Sequence, residues 1–302
     1  MKAGYVQAAG PLVLIFIASA ALGEGRPDPP PEEVRAVPGR PGWTVDARTG
    51  CWLWNPGPKA GDTATWSGRC DSAGRAMGRG VAEWTGESKV NRYEGEYRSG
   101  KQQALGIYTW GAGHRYEGEW GDGKLNGRGI FTWANGDRYE GDWRDGEKNG
   151  RGIYTTPNGE RYEGEFRDGE RHGRGNTTLA NGTRHAGEYR DGKEHGHGVA
   201  ISANGDRFDG EYRDGKQNGR GIYTWATGRY EGEFRDGKWN GRGLLTSTTG
   251  DRYEGEFRDN KPNGWGVSVT SSGERYEGDW RDGCFRDGSR RAGIGRLVSE
   301  CP

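Results

Sequence analysis

Long aliphatic runs are nearly missing from this chain of 302 residues, in which hydrophobic residues make up only 30%. The single such run lies at the N-terminus, so a large globule with a deep aliphatic core is excluded. So low a hydrophobic content is typical of disordered chains, but 13 Trp and 14 Tyr are far more than those chains carry. We therefore expect a folded chain in which aromatic rings do the covering that aliphatic side chains usually do.

An excess of charge is also missing, because 44 Lys and Arg balance 44 Asp and Glu. Binding to phosphates requires surplus Lys and Arg, so we expect no nucleic-acid partner. Catalytic signatures are missing as well: there is no G-x-S-x-G, no H-E-x-x-H and no P-loop. Because the carboxylates recur along the chain instead of converging, the sequence predicts no enzyme activity, no catalytic residues and no cofactor.

The N-terminal run has the order of a secretory signal peptide. Lys2 is followed by an apolar stretch from Pro11 to Leu22 and by small residues up to Gly23. The stretch of 12 residues is shorter than the ~20 that span a bilayer. We therefore predict a signal peptide over residues 1–23 and export to the periplasm or the medium, with an uncleaved membrane anchor as the alternative.

A repeat governs most of the remaining chain. The motif Y-E-G-E, followed by Trp, Tyr or Phe, recurs with some changes at Tyr93, Tyr116, Tyr139, Tyr162, His185, Phe208, Tyr230, Tyr253 and Tyr276. The spacing is 23 residues, except for 22 between Phe208 and Tyr230, and a degenerate copy begins at Trp66. A fixed period of this size indicates a solenoid.

Each unit has the alternation of a β-hairpin. From Tyr139 to Trp143, odd-numbered residues point to one face and even-numbered residues to the other. Asp145-Gly146 predicts the turn, with Asn149-Gly150 closing the loop, and residues 152–155 form the second strand. Because isolated hairpins are marginal, we predict an all-β fold: an elongated single-layer solenoid of stacked antiparallel β-hairpins, roughly 90–100 Å long at about 4.8 Å per strand.

The glycines have a packing role in this scheme. Four of them lie between two ring-bearing positions, where a missing side chain lets a ring lie flat on the strand; these are Gly118, Gly141, Gly164 and Gly187. The G-x-G triplets, such as Gly127-Arg128-Gly129, have the look of phosphate loops. They recur in nearly every unit and precede no helix, so we interpret them as structural.

The unit resembles the MORN repeat (membrane occupation and recognition nexus). The pattern Y-E-G-E-W-x-x-G-K-x-x-G-x-G is matched from about Trp66 to Asp282, and it is altered at Gln103-Ala104, His185-Ala186 and Asp259-Asn260. MORN-family enzymes carry a separate catalytic domain after the repeats, whereas about 20 residues follow Asp282 here. The resemblance therefore implies a protein-binding scaffold without kinase or methyltransferase activity.

The residues before the repeats contain a linker and a cap. Between Glu24 and Gly42 lie six of the 12 prolines, which predicts an extended linker over residues 24–49. The segment around Cys51 and Trp66 is similar to the entry segment of bacterial exported MORN-repeat proteins, and this implies a capping unit. We expect the cap and its degenerate repeat over residues 50–92, the solenoid over 93–283 and a C-terminal tail over 284–302.

The four cysteines, Cys51, Cys70, Cys284 and Cys301, suit an exported chain, in which an even count predicts disulfides. Three pairings are open. We favour the local one, which joins Cys51 to Cys70 and Cys284 to Cys301, because each pair brackets one end of the repeats. Zinc is disfavoured because no C-x-x-C spacing occurs, and no calcium loop is present, so we predict no metal site.

Three groups of side chains are candidates for binding, although each also has a structural interpretation. Rows of Glu and Arg recur at fixed positions of the unit, and we expect them to pair across strands on a solvated face; they are Glu117, Glu140, Glu163, Glu231, Arg138, Arg161, Arg207 and Arg252. The aromatic stripe is expected to form the core, with sugar stacking as the alternative; it is Tyr116, Trp120, Trp133, Tyr139 and Trp143. His195-Gly196-His197, beside Glu194, replaces the usual Asn-Gly-Arg and is interpreted as sequence drift.

We predict a non-enzymatic, exported scaffold that binds protein partners, with self-association as a further expectation from the family. The first alternative is a membrane-surface module that binds phospholipid head groups, and the second is a glycan-binding module. The sequence leaves the ligand-binding residues unknown.

Overall fold

The computed structural model describes residues 42–55, 61–86, 89–295 and Cys301. The predicted signal peptide (1–23) and the linker up to residue 41 lie outside the described residues. The described residues form two compact units. The first unit comprises residues 42–157, with the gaps given above, together with residues 166–169, and the second comprises 158–165, 170–295 and Cys301.

Strands are the only regular secondary structure in the described residues of the first unit. Its strands are β1 (Trp43–Val45), β2 (Trp52–Trp54), β3 (Thr63–Trp66), β4 (Arg69–Cys70), β5 (Ala76–Thr85), β6 (Val90–Arg98), β7 (Lys101–Thr109), β8 (Arg115–Gly121), β9 (Lys124–Thr132), β10 (Arg138–Arg144) and β11 (Glu147–Thr155). Strand β12 (Arg161–Arg167) supplies residues to both units.

The second unit continues the same series. Its strands are β13 (Glu170–Thr178), β14 (Arg184–Arg190), β15 (Lys193–Ile201), β16 (Arg207–Arg213), β17 (Lys216–Trp225), β18 (Gly228–Arg235), β19 (Lys238–Ser247), β20 (Arg252–Arg258), β21 (Lys261–Val269), β22 (Arg275–Arg281), β23 (Cys284–Asp287) and β24 (Arg290–Gly293). No helix occurs in the part of the chain that the structure describes.

Within each unit, neighbouring strands of the chain pair antiparallel. In the first unit β3 and β4 pair with β5, and β5 to β11 follow in order; in the second unit β13 to β24 follow in order. The register brings like positions together, for example Tyr139 opposite Tyr154 and Gly141 opposite Gly152. The predicted all-β fold of stacked hairpins, with a 23-residue period, is confirmed.

A two-residue turn closes each hairpin. At Asp145-Gly146 the φ angles are 53° and 91°, so both residues lie in the left-handed region that such turns require. The proposed role of Asn149-Gly150 in closing the loop is wrong, because β11 already begins at Glu147. Gly150, with φ 68°, instead belongs to a bulge in the pairing of β10 and β11, where one strand carries extra residues.

Two departures from the motif keep this backbone. Ala104 stands where other units have the first glycine of the triplet and takes φ 52°, and Asn260 replaces the turn glycine with φ 68°. Asn tolerates this conformation readily, whereas Ala adopts it at a cost. The hairpin geometry is therefore imposed by pairing even where the residue is not the preferred one.

Successive hairpins also bond through their turns. The N–H of Gly146 donates to the carbonyl oxygen of Leu125 at 3.0 Å, and the N–H of Gly192 donates to that of Arg171 at 3.0 Å. The donor lies in the turn of one hairpin and the acceptor lies in the preceding hairpin. Each turn is thus fixed by its neighbour, which suits a chain whose hairpins are marginal alone.

The N-terminal cap begins earlier than predicted. β1 lies inside the expected linker and pairs with β2, since Trp43, Thr44 and Val45 are aromatic or β-branched residues that favour strands. Cys51 is bonded to Cys70, and the N–H of Trp54 donates to the carbonyl oxygen of Gly100 at 2.7 Å. Residues 43–45 are therefore strand, although they fall within the range predicted for the linker, and they pair with the cap.

The buried carboxylate of Asp46 organises this cap. Burial opposes its ionisation, but hydrogen bonds from the N–H groups of Arg48 and Trp66 and from Thr49 outweigh that effect and lower the pKa of Asp46. A carboxylate that accepts several N–H bonds stays charged when buried. Asp46 therefore ties the loop after β1 to the end of β3.

The predicted C-terminal tail contains a closing hairpin. β23 pairs with β24, and Cys284 is bonded to Cys301 with a Cα–Cα distance of 5.5 Å. Phe285 is buried, and its ring centroid lies 5.4 Å from that of Trp280. Residues 284–293 are therefore part of the folded sheet, because they cover the last aromatic ring of the repeats.

Candidate interaction surface

One face of each unit, here called the aromatic face, carries the ring that opens each repeat and the ring four residues later. Tyr139 packs edge-to-face on Trp143 of its own repeat at 5.1 Å between centroids and on Phe166 of the next at 5.0 Å. In the second unit, Tyr230 makes the same two contacts with Phe234 at 5.2 Å and Phe257 at 5.0 Å. The rings thus link each repeat to the next by the geometry that aromatic pairs prefer.

Glycines let these rings lie against the backbone. A Cβ atom at Gly141 would lie 2.5 Å from the carbonyl oxygen of Arg151 and 2.6 Å from the Tyr139 hydroxyl oxygen. The Tyr139 hydroxyl donates to the carbonyl oxygen of Asp142 at 3.0 Å. Burial raises the pKa of Tyr162, which sits in the same way, to about 12. The tyrosines are therefore neutral structural groups.

The aromatic stripe singled out in the sequence belongs to this core. Its five members are no more than 7% exposed; they are Tyr116, Trp120, Trp133, Tyr139 and Trp143. A sugar or a base stacks only on a ring face that is open to solvent. The five rings of the stripe are therefore packed in the core and offer no open face to a sugar or a base.

The opposite face of each unit, here called the charged face, carries rows of ion pairs. They run along a strand, from an Arg to the carboxylate two residues later, as in Arg138–Glu140 at 2.7 Å and Arg252–Glu254 at 2.6 Å. The predicted pairing across strands is therefore wrong for these rows, since side chains two residues apart already point to the same face. The pairs are exposed, and each contributes little stability.

In five repeats the second carboxylate of the Y-E-G-E motif has a different role, which we did not predict from the sequence. Glu233 accepts a hydrogen bond from the N–H of Arg242 at 3.2 Å and lies against Gly241, whose φ is 76°. Glu165 accepts in the same way from Arg174 at 3.3 Å. The carboxylate satisfies backbone that the bulge leaves unpaired. A spacing of nine residues from carboxylate to Arg was the available signal.

The histidines do not converge. His195 Nδ1 lies 3.7 Å from a carboxylate oxygen of Asp214, whereas His197 Nε2 lies 3.1 Å from one of Asp209. No group of three or more His, Cys, Asp or Glu side chains that fits a metal ion occurs among the described residues. The two histidines of His195-Gly196-His197 therefore contact different carboxylates, Asp214 and Asp209.

His185 replaces an opening tyrosine and is buried. Its Nδ1 atom lies 2.7 Å from the Tyr189 hydroxyl, which is also 2.7 Å from the Thr177 hydroxyl. Its Nε2 atom is buried without a hydrogen-bond partner among the described residues. Burial lowers the pKa of His185 to about 4, so the ring is neutral near pH 7.

A row of arginines stands free on the charged face. The middle residue of the G-x-G triplet is exposed, and in the second unit three of these residues are arginines that form no ion pair with any described residue; these are Arg174, Arg220 and Arg242. In the first unit, Arg79 and Arg151 are the corresponding arginines without an ion pair. In two repeats this middle position holds a large apolar side chain instead of Arg: Leu105 is 72% exposed and Trp265 is 55% exposed. These guanidinium groups are therefore the repeated cations of the charged face that have no carboxylate partner among the described residues.

We found no segment among the described residues that could cross a bilayer as a helix. Comparison with protein families matches the MORN-repeat model eight times, at residues 93–115, 116–138, 139–161, 162–184, 185–207, 208–228, 230–252 and 253–275. No curated protein sequence matches the chain significantly.

Solved structures give only weak likenesses. The TCP10 domain of Danio rerio CPAP is 13% identical with a TM-score of 0.34, covering 63% of this chain and 89% of that one. The SAS-4 TCP domain of Drosophila melanogaster, in complex with a proline-rich motif of Ana2, is 12% identical with a TM-score of 0.33, covering 51% and 85%. TM-scores this low carry no argument about fold or function.

Proposed function

The chain belongs to the MORN-repeat family, and from that premise we propose that it is an exported, non-enzymatic scaffold that binds protein partners through its charged face. The observation that carries the proposal is the row of exposed arginines without ion pairs in the G-x-G triplets. A partner that meets several identical side chains sums many weak contacts into useful affinity.

The contrast between the two faces supports the choice of surface. The rings of the aromatic face pack against one another and are not available to a partner. Tyr116 and Tyr139, for example, are 0% exposed. Most arginines of the charged face that open a strand are already neutralised by a carboxylate two residues on. The triplet arginines are the repeated side chains that can still pair with carboxylates of another protein.

The disulfides support the exported location. The bonds Cys51–Cys70 and Cys284–Cys301 persist in oxidising compartments and are rare in the reducing cytosol. We propose that residues 1–23 direct export and are removed. Mass spectrometry of the protein recovered from envelope and medium fractions tests this, and an intact Met1 in a cytosolic fraction would contradict it.

Photo-crosslinking tests the scaffold. A photoreactive amino acid replaces Arg220 in the full chain, and we expect discrete protein adducts on irradiation in the native envelope. Adding Arg174→Glu and Arg242→Glu should abolish them, whereas Arg174→Lys and Arg242→Lys, the matched controls, should preserve them. The proposal fails if no protein adduct forms, or if both pairs of variants behave alike.

Two further assays separate the other classes of ligand. Sedimentation with anionic vesicles over a salt series reports binding to phospholipid head groups, and a titration with cell-wall oligosaccharides reports binding to glycans. Vesicle or glycan binding without protein adducts would replace the scaffold by the corresponding alternative.

A further inference from the structure

Trp265 is the one exposed tryptophan among the described residues, with 55% of its surface accessible. It lies in β21 within the triplet Gly264-Trp265-Gly266, where the preceding unit has Arg242. Its side chain has no hydrogen bond or ring contact with any described residue. A large indole therefore projects from the charged face at a position that other units give to a cation.

The charge around Trp265 differs from that around the arginines of the row. The strand register places Arg220 opposite Glu233 and Arg242 opposite Glu256, so each cation lies beside a carboxylate, although neither pair is close enough to form an ion pair. Trp265 is opposite Asp279 in β22, so this carboxylate faces an uncharged ring. Directly opposite residues in a sheet have Cβ atoms about 4.5–5.5 Å apart, so the indole and the carboxylate adjoin.

Asp279 lacks its second usual partner as well. Glu233, at the same position of its unit, accepts a hydrogen bond from the N–H of Arg242 in the next strand. The strand after β22 is β23, which spans only Cys284–Asp287 and contains no G-x-G triplet. Asp279 forms no ion pair or side-chain hydrogen bond with any described residue. Its carboxylate is therefore unpaired beside the exposed ring.

We propose that Trp265 and Asp279 form a docking point for a basic segment, rich in Lys or Arg, of a protein partner. The face of Trp is the strongest aromatic site for a cation, and an adjacent carboxylate adds an ion pair to the same group. The carboxylate of Glu256, which lies against Gly264, adds negative charge on the other side of the triplet. The inference rests on the proposed function and specifies one chemistry of its partner.

The charges favour a basic peptide over a membrane surface. An exposed Trp by itself suits the head-group region of a bilayer. A free carboxylate beside the ring is repelled by anionic phosphates, whereas it attracts lysine and arginine. We therefore expect Trp265 and Asp279 to bind a basic peptide in preference to anionic vesicles.

Fluorine NMR of the full chain labelled with 5-fluorotryptophan tests the docking point. The Trp265 resonance is assigned by its loss in Trp265→Arg, a change that installs the side chain found in the preceding unit. On titration with hexalysine we expect this resonance to move saturably. Hexalysine should bind Trp265→Arg about tenfold more weakly and Asp279→Asn about threefold more weakly than wild type. Leu105→Arg, the matched control at the corresponding position of a repeat in the first unit, should bind as wild type does.

Three results would overturn the docking point: an unmoved Trp265 resonance with hexalysine, an equal response to hexaglutamate or to anionic vesicles, or unchanged hexalysine affinity in Trp265→Arg. The crosslinking at Arg220 reports separately on the scaffold. Adducts at Arg220 without a hexalysine response would reject the docking point alone, and the reverse pattern would reject binding through the arginine row.

Discussion

Replacing Gly141 by Ala tests the close contact between ring and backbone on which the hairpin stack depends. The added Cβ would lie 2.5 Å from the carbonyl oxygen of Arg151 and 2.6 Å from the Cα of Gly152. These are backbone atoms of the paired strand, so these two contacts are relieved only if β10 and β11 separate. The Tyr139 hydroxyl oxygen would lie 2.6 Å from the same Cβ, so the Tyr139 ring must move as well.

The size of the effect follows from two terms. Overpacking of a well-packed site costs about 1–3 kcal/mol. Displacement of the Tyr139 ring also weakens its hydrogen bond to the carbonyl oxygen of Asp142, which contributes about 1 kcal/mol. We therefore expect Gly141→Ala to destabilise this hairpin by about 3 kcal/mol.

Gly146→Ala, in the turn of the same hairpin, is the matched control. Gly146 has φ 91° and no atom within 4 Å of an added Cβ, so this change costs backbone strain alone. The left-handed conformation costs Ala about 1–2 kcal/mol, and the smaller entropy of the unfolded chain returns about 0.4–1 kcal/mol. The control should therefore lose about 1 kcal/mol.

Native-state hydrogen exchange of the amides in β10 and β11 measures both variants. Exchange reports the opening of individual hairpins, which suits a repeat protein whose repeats contact mainly their neighbours. If Gly141→Ala costs no more than Gly146→Ala, the role assigned to the missing side chain is refuted.

Three further predictions follow from buried groups, carboxylates and crosslinks. Burial lowers the pKa of His185 from 6.5 to about 4, so between these pH values the unfolded chain binds more protons than the folded chain. The free energy of unfolding should therefore fall by about 3 kcal/mol as the pH drops from 6.5 to 4. Urea unfolding of His185→Phe should lack this pH-dependent loss. Glu233→Ala should cost about 1–2 kcal/mol because it leaves bulge backbone unpaired, whereas Glu231→Ala should cost at most about 0.5 kcal/mol as an exposed pair; equal losses would contradict the two roles. Reduction of the two disulfides should remove about 3 kcal/mol each and raise amide exchange first in the caps; exchange that rises first in the central repeats would argue against capping.

Much of the fold was accessible from the sequence because each repeat signals its own geometry. The alternation from Tyr139 to Trp143 and the turn at Asp145-Gly146 are local features, and both are found as predicted. Asn149-Gly150 was misassigned because a turn pair and a bulge use the same residues: both require a left-handed glycine. Only the pairing with β10 distinguishes them.

The candidate surface was less accessible. The sequence shows two carboxylates in each Y-E-G-E motif, but their different partners depend on which strand lies beside each one. In the sequence, Trp265 is indistinguishable from the rings that form the core. It is exposed because it lies on the charged face of β21 and not on the aromatic face. The Asp279 carboxylate lacks the backbone donor that Glu233 has, because β23 is too short to supply the triplet.

The hairpin, its period, its turns and the aromatic core can all be predicted from the sequence, because they follow from contacts within a repeat and between adjacent repeats. Three further properties require the structure: which charges are paired, where the caps begin and which ring is exposed to solvent. Those properties depend on register across strands and on how the series of hairpins is terminated, and a one-residue change in either moves a side chain to another partner or another face.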